Sequence, residues 1–306
     1  MPQLFSKIEK LPDEQKAFAL ASIVVLFWGT VSTAFKIGLR TLNPAQLIFI
    51  ASITTLVVLF LLIVGSRKLF LFRELSFKSL ISSILLGVLN PFLYYIILFS
   101  GYSLLPAQVA QPINMTWPIV LVLLSIPMLK HKIGWKSGVA LLVSFAGVVV
   151  ISSQGNLSNL KNVNFAGVIL CICSAFLWSV YWILNVRNKL DELIKLFINF
   201  LSGSLLLALY LFFFSSFEIS FDESFAAGVY IGIFEIGVSF VLWMKALSIT
   251  KHSARIANLT YIGPFLSLIP VHFILGEKVY VTTIVGLFCI ISGILFQQTE
   301  KMNKQK

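Results

Sequence analysis

Gln111, Asn114 and Pro118 stand three or four residues apart inside a long apolar run. On a helix that spacing puts them on one face. Amides and proline-freed carbonyls are costly in lipid, so such a face belongs against a cavity or another helix. The chemistry on offer is hydrogen bonding to a small polar group; the alternative is interhelical bonding, worth only about 0.6 kcal/mol in membranes. Ala107-Gln108-Val109-Ala110-Gln111 matches Ala254-Arg255-Ile256-Ala257-Asn258, 147 residues later, and Pro118 matches Pro264, 146 later. Asn258 and Tyr261 make the equivalent face there.

Glu235 is a lone carboxylate midway along another apolar run, where a charge costs at least ~2.5 kcal/mol. A proton site, or a ligand for a substrate amine, justifies that cost, and Ser239 lies one turn away. The alternative is a protonated acid hydrogen-bonded between helices. Trp117, Trp178, Tyr181 and Trp182 can stack on a planar or apolar substrate, or simply pack. Asn90-Pro91 interrupts a third run, with Tyr94 one turn on, which reads as a hinge or a cavity wall. Lys36 is near the end of the first run, placed to snorkel or to meet a carboxylate.

The elements that must position these residues are membrane spans. The chain has 306 residues, 58% of them hydrophobic and 11% charged, which is too little polar surface for a soluble fold of this length. Spans need about 20 apolar residues. Ten are read: 17–39, 45–64, 77–100, 105–129, 134–152, 165–185, 193–214, 225–246, 254–275 and 282–298. The fold class is therefore all-α and integral to the membrane, with a lipid bilayer as partner. Alternate inter-span segments carry 19 of the Lys and Arg residues, against Arg40, Lys161 and Lys278 in the others. That asymmetry puts both termini in the cytoplasm. It also explains the net charge of +11 without invoking nucleic acid.

Residues 1–16 form a cytoplasmic N-terminal segment and 299–306 a cytoplasmic tail. Between them lie two halves, 17–152 and 165–298, joined by 153–164. Phe27-Trp28-Gly29 is echoed by Leu177-Trp178-Ser179, and Ala140 through Gly147 by Gly286 through Gly293. Five spans is an odd number, so the second copy enters from the opposite side and the repeats are inverted. Ala140, Ser144, Gly147, Gly286 and Gly293 make small faces suited to close helix packing, and a homodimer contact is open to them.

Cys171, Cys173 and Cys289 lie inside apolar runs and read as small packing residues. The histidines have no metal spacing, and no phosphate-binding glycine loop is present. No metal, cofactor or ATP is expected. An intramembrane enzyme would need a nucleophile–base set or metal ligands at depth, and a channel a repeated polar lining; neither pattern is visible.

Trp28-Gly29 followed by Lys36, Pro264 followed by Gly276-Glu277-Lys278, and Gly286 with Gly293 resemble, in order and spacing, motifs of the drug/metabolite transporter superfamily in its ten-helix, paired-repeat (EamA-type) form. The resemblance covers nearly the whole chain. It implies secondary transport of a small molecule across the inner membrane of a bacterium, with the path between the third, fourth, eighth and ninth spans. Asn114-Met115-Thr116-Trp117-Pro118 and Trp178-Ser179-Val180-Tyr181 resemble the branch that exports aromatic amino acids. The chain departs from the family at Ile50-Ala51-Ser52, where an Arg is common, and at Glu235, which belongs to no expected motif.

The substrate site is therefore assigned to Asn90, Tyr94, Gln111, Asn114, Trp117, Trp178, Tyr181, Glu235, Asn258 and Tyr261. With no Arg and no mid-span Lys among them, anionic substrates are disfavoured. An amphipathic zwitterion fits, with Glu235 for the amine and open to proton coupling. Export of hydrophobic or aromatic amino acids is the expected activity, and export of cationic drugs or related amines the alternative.

Overall fold

A computed structural model describes residues 11–129, 135–155, 163–251, 256 and 258–303. Helices run in the order α1 (Asp13–Gly38), α2 (Pro44–Gly65), α3 (Phe77–Leu104), α4 (Ala107–Asn114), α5 (Trp117–Leu129), α6 (Trp135–Ser152), α7 (Phe165–Arg187), α8 (Glu192–Phe214), α9 (Glu223–Ile249), α10 (Gly263–Phe273) and α11 (Val281–Asn303). No strand occurs among the described residues. Among the described residues, six helices (α1, α2, α3, α7, α8 and α9) are long and apolar enough to cross a bilayer. The apolar stretches 138–152, 259–273 and 281–296 are shorter.

The starts of the helices follow local chemistry. Asn43 and Gln46 cap α2 reciprocally, Gln46 N–H to Asn43 Oδ1 at 3.0 Å and Asn43 N–H to Gln46 Oε1 at 2.9 Å, with Pro44 in the first turn. Asp222 caps α9 by accepting from the Ser224 and Phe225 amides at 2.9 and 3.1 Å. The Phe225 amide above all, and then the Thr41 hydroxyl, hold its carboxyl below the usual range. A depressed carboxyl stabilises the fold above its unfolded pKa, and this contribution fades as the pH falls through the folded value.

The run expected to be one span over 105–129 is broken. Pro118 has no N–H to return to Asn114, so α4 ends there, Met115 and Thr116 turn, and α5 starts at Trp117. α3 and α9 each contain a π-helical stretch, Val88–Leu93 and Ile231–Gly237. The first surrounds Asn90, whose backbone is non-helical (φ −146°, ψ 115°). The second surrounds Glu235. Of the run 254–275, residues 254, 255 and 257 lie outside the described residues. A 3₁₀ turn, Leu259–Ile262, leads into α10.

Equivalent helices of the two halves run antiparallel. Gln46, at the start of α2, donates to the Ser216 and Glu218 carbonyls just past α8, at 3.1 Å each, while Phe60 further along α2 meets Phe197 near the start of α8. Trp135 at the start of α6 meets Phe296 of α11 at 5.9 Å, and past the other end of α6 the Gly155 amide donates to Thr282. Packing of α1 on α9 is matched by α7 on α3, and α2 on α9 by α8 on α3. Antiparallel counterparts with interchangeable contacts are the geometry of an inverted repeat.

The small faces are used within the chain. A Cβ on Gly147 would sit 2.6 Å from the Gly286 carbonyl, and one on Gly286 2.5 Å from the Gly147 carbonyl. Gly293 meets Ser144 and the Ala140 carbonyl just as closely. The obstacle is backbone, which cannot swing aside. Gly147→Ala should therefore cost about 1–3 kcal/mol and lower the unfolding temperature of the purified protein in detergent. Gly138→Ala, where nothing lies within 4 Å, is the control.

Candidate functional site

A cavity of about 500 Å³ runs through the middle of the bundle. Its walls are α1 (Trp28, Ser32, Phe35), α3 (Tyr94, Leu98, Tyr102), α4 and α5 (Gln111, Asn114, Trp117), α7 (Trp178, Trp182, Arg187), α9 (Glu235, Phe240, Trp243) and the turn before α10 (Thr260, Tyr261). Along α9 it extends from Glu235 to Leu247, or about 18 Å at 1.5 Å per residue. At one end Phe35 and Tyr102 are buried and meet edge to face at 5.1 Å. At the other, Val186 and Arg187 are exposed. The cavity is closed at the first end and open at the second.

Glu235 sits in the deep part. Its Oε1 accepts from the Tyr95 hydroxyl at 3.3 Å, and its own backbone carbonyl accepts from the Trp28 indole N–H at 3.1 Å. π-helical segments release carbonyls in this way and recur at functional sites. Ser239 serves its own helix by donating to the Phe234 carbonyl and does not pair with Glu235. Above Glu235 lies an aromatic wall: Tyr94 stacks on Trp178 at 4.7 Å, and Trp178 on Tyr181 at 5.6 Å. Asn114 is tied at both ends of its amide, donating to Ser174 at 2.9 Å and accepting from Tyr94 at 3.5 Å. Gln111 has no side-chain partner among the described residues. Its amide is presented to the cavity. The Trp117 ring stacks on no other ring among the described residues, although its carbonyl accepts from Ser179 at 2.8 Å.

Of the residues assigned from sequence, Tyr94, Gln111, Asn114, Trp117, Trp178, Glu235 and Tyr261 line this cavity. Three do not. Asn90 is buried where α3 meets α7 and α8. Tyr181 lies behind Trp178, its hydroxyl 3.2 Å from the Asn199 side chain. Asn258 is exposed, because the 3₁₀ turn that follows it breaks the face it was expected to share with Tyr261. Arg187 corrects the expectation that no Arg faces the cavity. It lies nine residues beyond Trp178 on α7, about 13 Å along the axis. Its charge is at the mouth, not beside Glu235. Trp28, Ser32 and Phe35 went unassigned, although their spacing of four and three marks one helical face. So did Phe240, Trp243 and Leu247 on α9.

The model of the EamA-like transporter family matches the chain twice, over residues 15–153 and 165–297. The chain belongs to that family and is a multi-pass membrane transporter. Among its relatives, an uncharacterized transporter from Archaeoglobus fulgidus is 26% identical over 91% of this chain and 97% of that protein. The uncharacterized transporter YvbV of Bacillus subtilis is 24% identical over 96% of this chain and 94% of its own length. A solved crystal structure at 17% identity superposes with a TM-score of 0.67, over 95% of this chain and 99% of that one, and shares its fold.

Proposed function

We propose that this transporter exports hydrophobic or aromatic amino acids. In this reading it is a secondary carrier of ten spans, in two inverted repeats with both termini in the cytoplasm of a bacterial inner membrane. The observation that carries the reading is a single carboxylate, Glu235, set deep in a cavity walled by Trp28, Tyr94, Trp117 and Trp178. The carboxylate supplies an ammonium site, the rings an apolar bed, and the Gln111 amide a donor for a carboxylate group. With the termini in the cytoplasm, the open end that carries Arg187 faces inward, so the cavity loads from the cytoplasm.

A second reading, export of cationic drugs or related amines, draws on the cavity wall beside Glu235, where none of the described side chains is cationic. A substrate carboxylate there meets neutral donors only. Exchange in liposomes containing the pure protein separates the two. Preloaded unlabelled tryptophan should draw in labelled tryptophan, phenylalanine or leucine against no net gradient. Exchange of a labelled quaternary amine with no amino-acid exchange would establish the second reading and sink the first.

A further inference from the structure

The closed end of the cavity is held by two charged side chains at a single corner. α3 ends at Leu104 and α4 begins at Ala107, so carbonyls and amides at that corner lack helical partners. Lys36, at the end of α1, donates to two of the carbonyls, Tyr102 at 2.9 Å and Leu105 at 3.0 Å. Glu277, in the segment between α10 and α11, accepts from the amides of Ala107 at 2.9 Å and Gln108 at 3.3 Å. The Gln108 side chain extends the hold, donating to the Lys278 carbonyl at 2.7 Å and accepting from the Thr283 hydroxyl at 2.8 Å. Beneath the corner, Phe35 meets Phe99 at 4.7 Å and Tyr102 at 5.1 Å and closes the cavity. Phe35 is the residue before Lys36, so the plug and its fastening move together.

These bonds are placed to break at low cost. Lys36 and Glu277 are each only half-buried, and with Ser103 and Arg40 they line a second cavity of about 230 Å³ outside the plug. A charge that loses its partner there meets water, whereas one stranded in the dry core would pay its full desolvation. The open end is built differently. The 150-residue offset between Trp28 and Trp178 sets Lys36 opposite Val186, next to Arg187 at the exposed mouth, and the 146-residue offset between Pro118 and Pro264 sets Glu277 opposite His131, which lies outside the described residues.

We propose that Lys36 and Glu277 are positioning residues for transport: a latch that holds the α3–α4 corner to α1 and the α10–α11 segment, keeps this end of the cavity shut, and must release for substrate to pass there. The inference rests on the transporter class and not on which substrate is carried. Two charge-assisted donations are strong enough for their loss to shift the balance of closed and open forms by about tenfold.

The test uses the full chain, reconstituted in one orientation, with Cys171, Cys173 and Cys289 replaced by Ser and one cysteine introduced as Ser32→Cys on the cavity wall. An impermeant maleimide added from the latch side should label slowly. Adding Lys36→Met or Glu277→Gln should speed labelling from that side by about tenfold and slow it from the other. A purely structural bond would change protein yield and leave the sidedness alone. Unchanged labelling from both sides in a folded variant overturns the proposal. If neither variant folds, a reducible crosslink between Leu39→Cys and Ser103→Cys, both on the wall of the smaller cavity, decides. Exchange should stop when the link forms and return on reduction. Exchange that continues through the intact link overturns it.

Discussion

Glu235→Gln is expected to reach the membrane folded and to lose transport of an ammonium-bearing substrate, by about thirtyfold or more in apparent affinity. The substitution keeps the shape of the side chain, and an amide oxygen can still accept from the Tyr95 hydroxyl, which donates to Glu235 Oε1 at 3.3 Å. The Trp28 indole bonds the backbone carbonyl of residue 235, so it is indifferent to the exchange. What disappears is the negative charge. A hydrogen bond to a charged group is worth about 1.5–3 kcal/mol, and 2 kcal/mol is roughly thirtyfold in binding. If the acid also carries the coupling proton, the variant should still exchange substrate slowly between equal pools but no longer respond to an imposed pH gradient. Comparing counterflow with gradient-driven uptake in liposomes separates the two losses. Wild-type rates in both assays would reduce Glu235 to a neutral acid that joins α9 to α3.

The all-helical membrane character was legible in long apolar runs, and landmarks such as Trp28 with Trp178 and Pro118 with Pro264 fall in the two stretches that the family model matches. These are strong signals because lipid leaves the backbone few options. The sequence also pointed to the deep wall of the cavity, since a Glu or an amide at membrane depth needs a reason to be there. The errors arose where one dihedral decides which way a face points. Asn90 was singled out for the right feature, a broken helix, but its non-helical backbone turns it toward α7 and α8 and away from the cavity. Asn258 is the counterpart of Gln111 in the repeated stretch, yet a 3₁₀ turn follows Asn258 where Gln111 lies inside an α-helix. The π-helical stretch around Glu235 was not legible: Ile231–Gly237 has no proline, and its irregularity goes with close packing on α2, where a Cβ on Gly232 would sit 2.5 Å from the Ala51 carbonyl. The latch was half legible. Lys36 stands out as a charge near the end of the first apolar run and Glu277 as part of a helix-end motif, but their common target, a helix corner, exists only once α3 and α4 have been folded against each other.

Trp117→Ala should weaken transport without weakening the fold, and Trp178→Ala should do both. The two indoles line the same cavity but are held differently. Trp178 is built into the protein, stacked on Tyr94 and Tyr181 and set edge-on to Trp182 and Phe240. Removing it leaves a hole in that stack, at about 3–5 kcal/mol of stability for a well-packed Trp. Trp117 is half-buried, its ring stacks on none of the described rings, and the bond it receives from Ser179 goes to its backbone carbonyl, which alanine keeps. Its ring face is therefore left for a substrate. Burying an apolar ring against it is worth about 2 kcal/mol, so the alanine variant should raise KM for an aromatic substrate roughly thirtyfold. The rise should be smaller for a small aliphatic substrate, which covers less of the ring. Unfolding temperatures in detergent, measured for both variants beside the concentration dependence of exchange for tryptophan and for leucine, check both expectations. A large drop in stability for Trp117→Ala with KM unchanged would show that this indole packs the wall and that substrate aromatics stack elsewhere in the cavity.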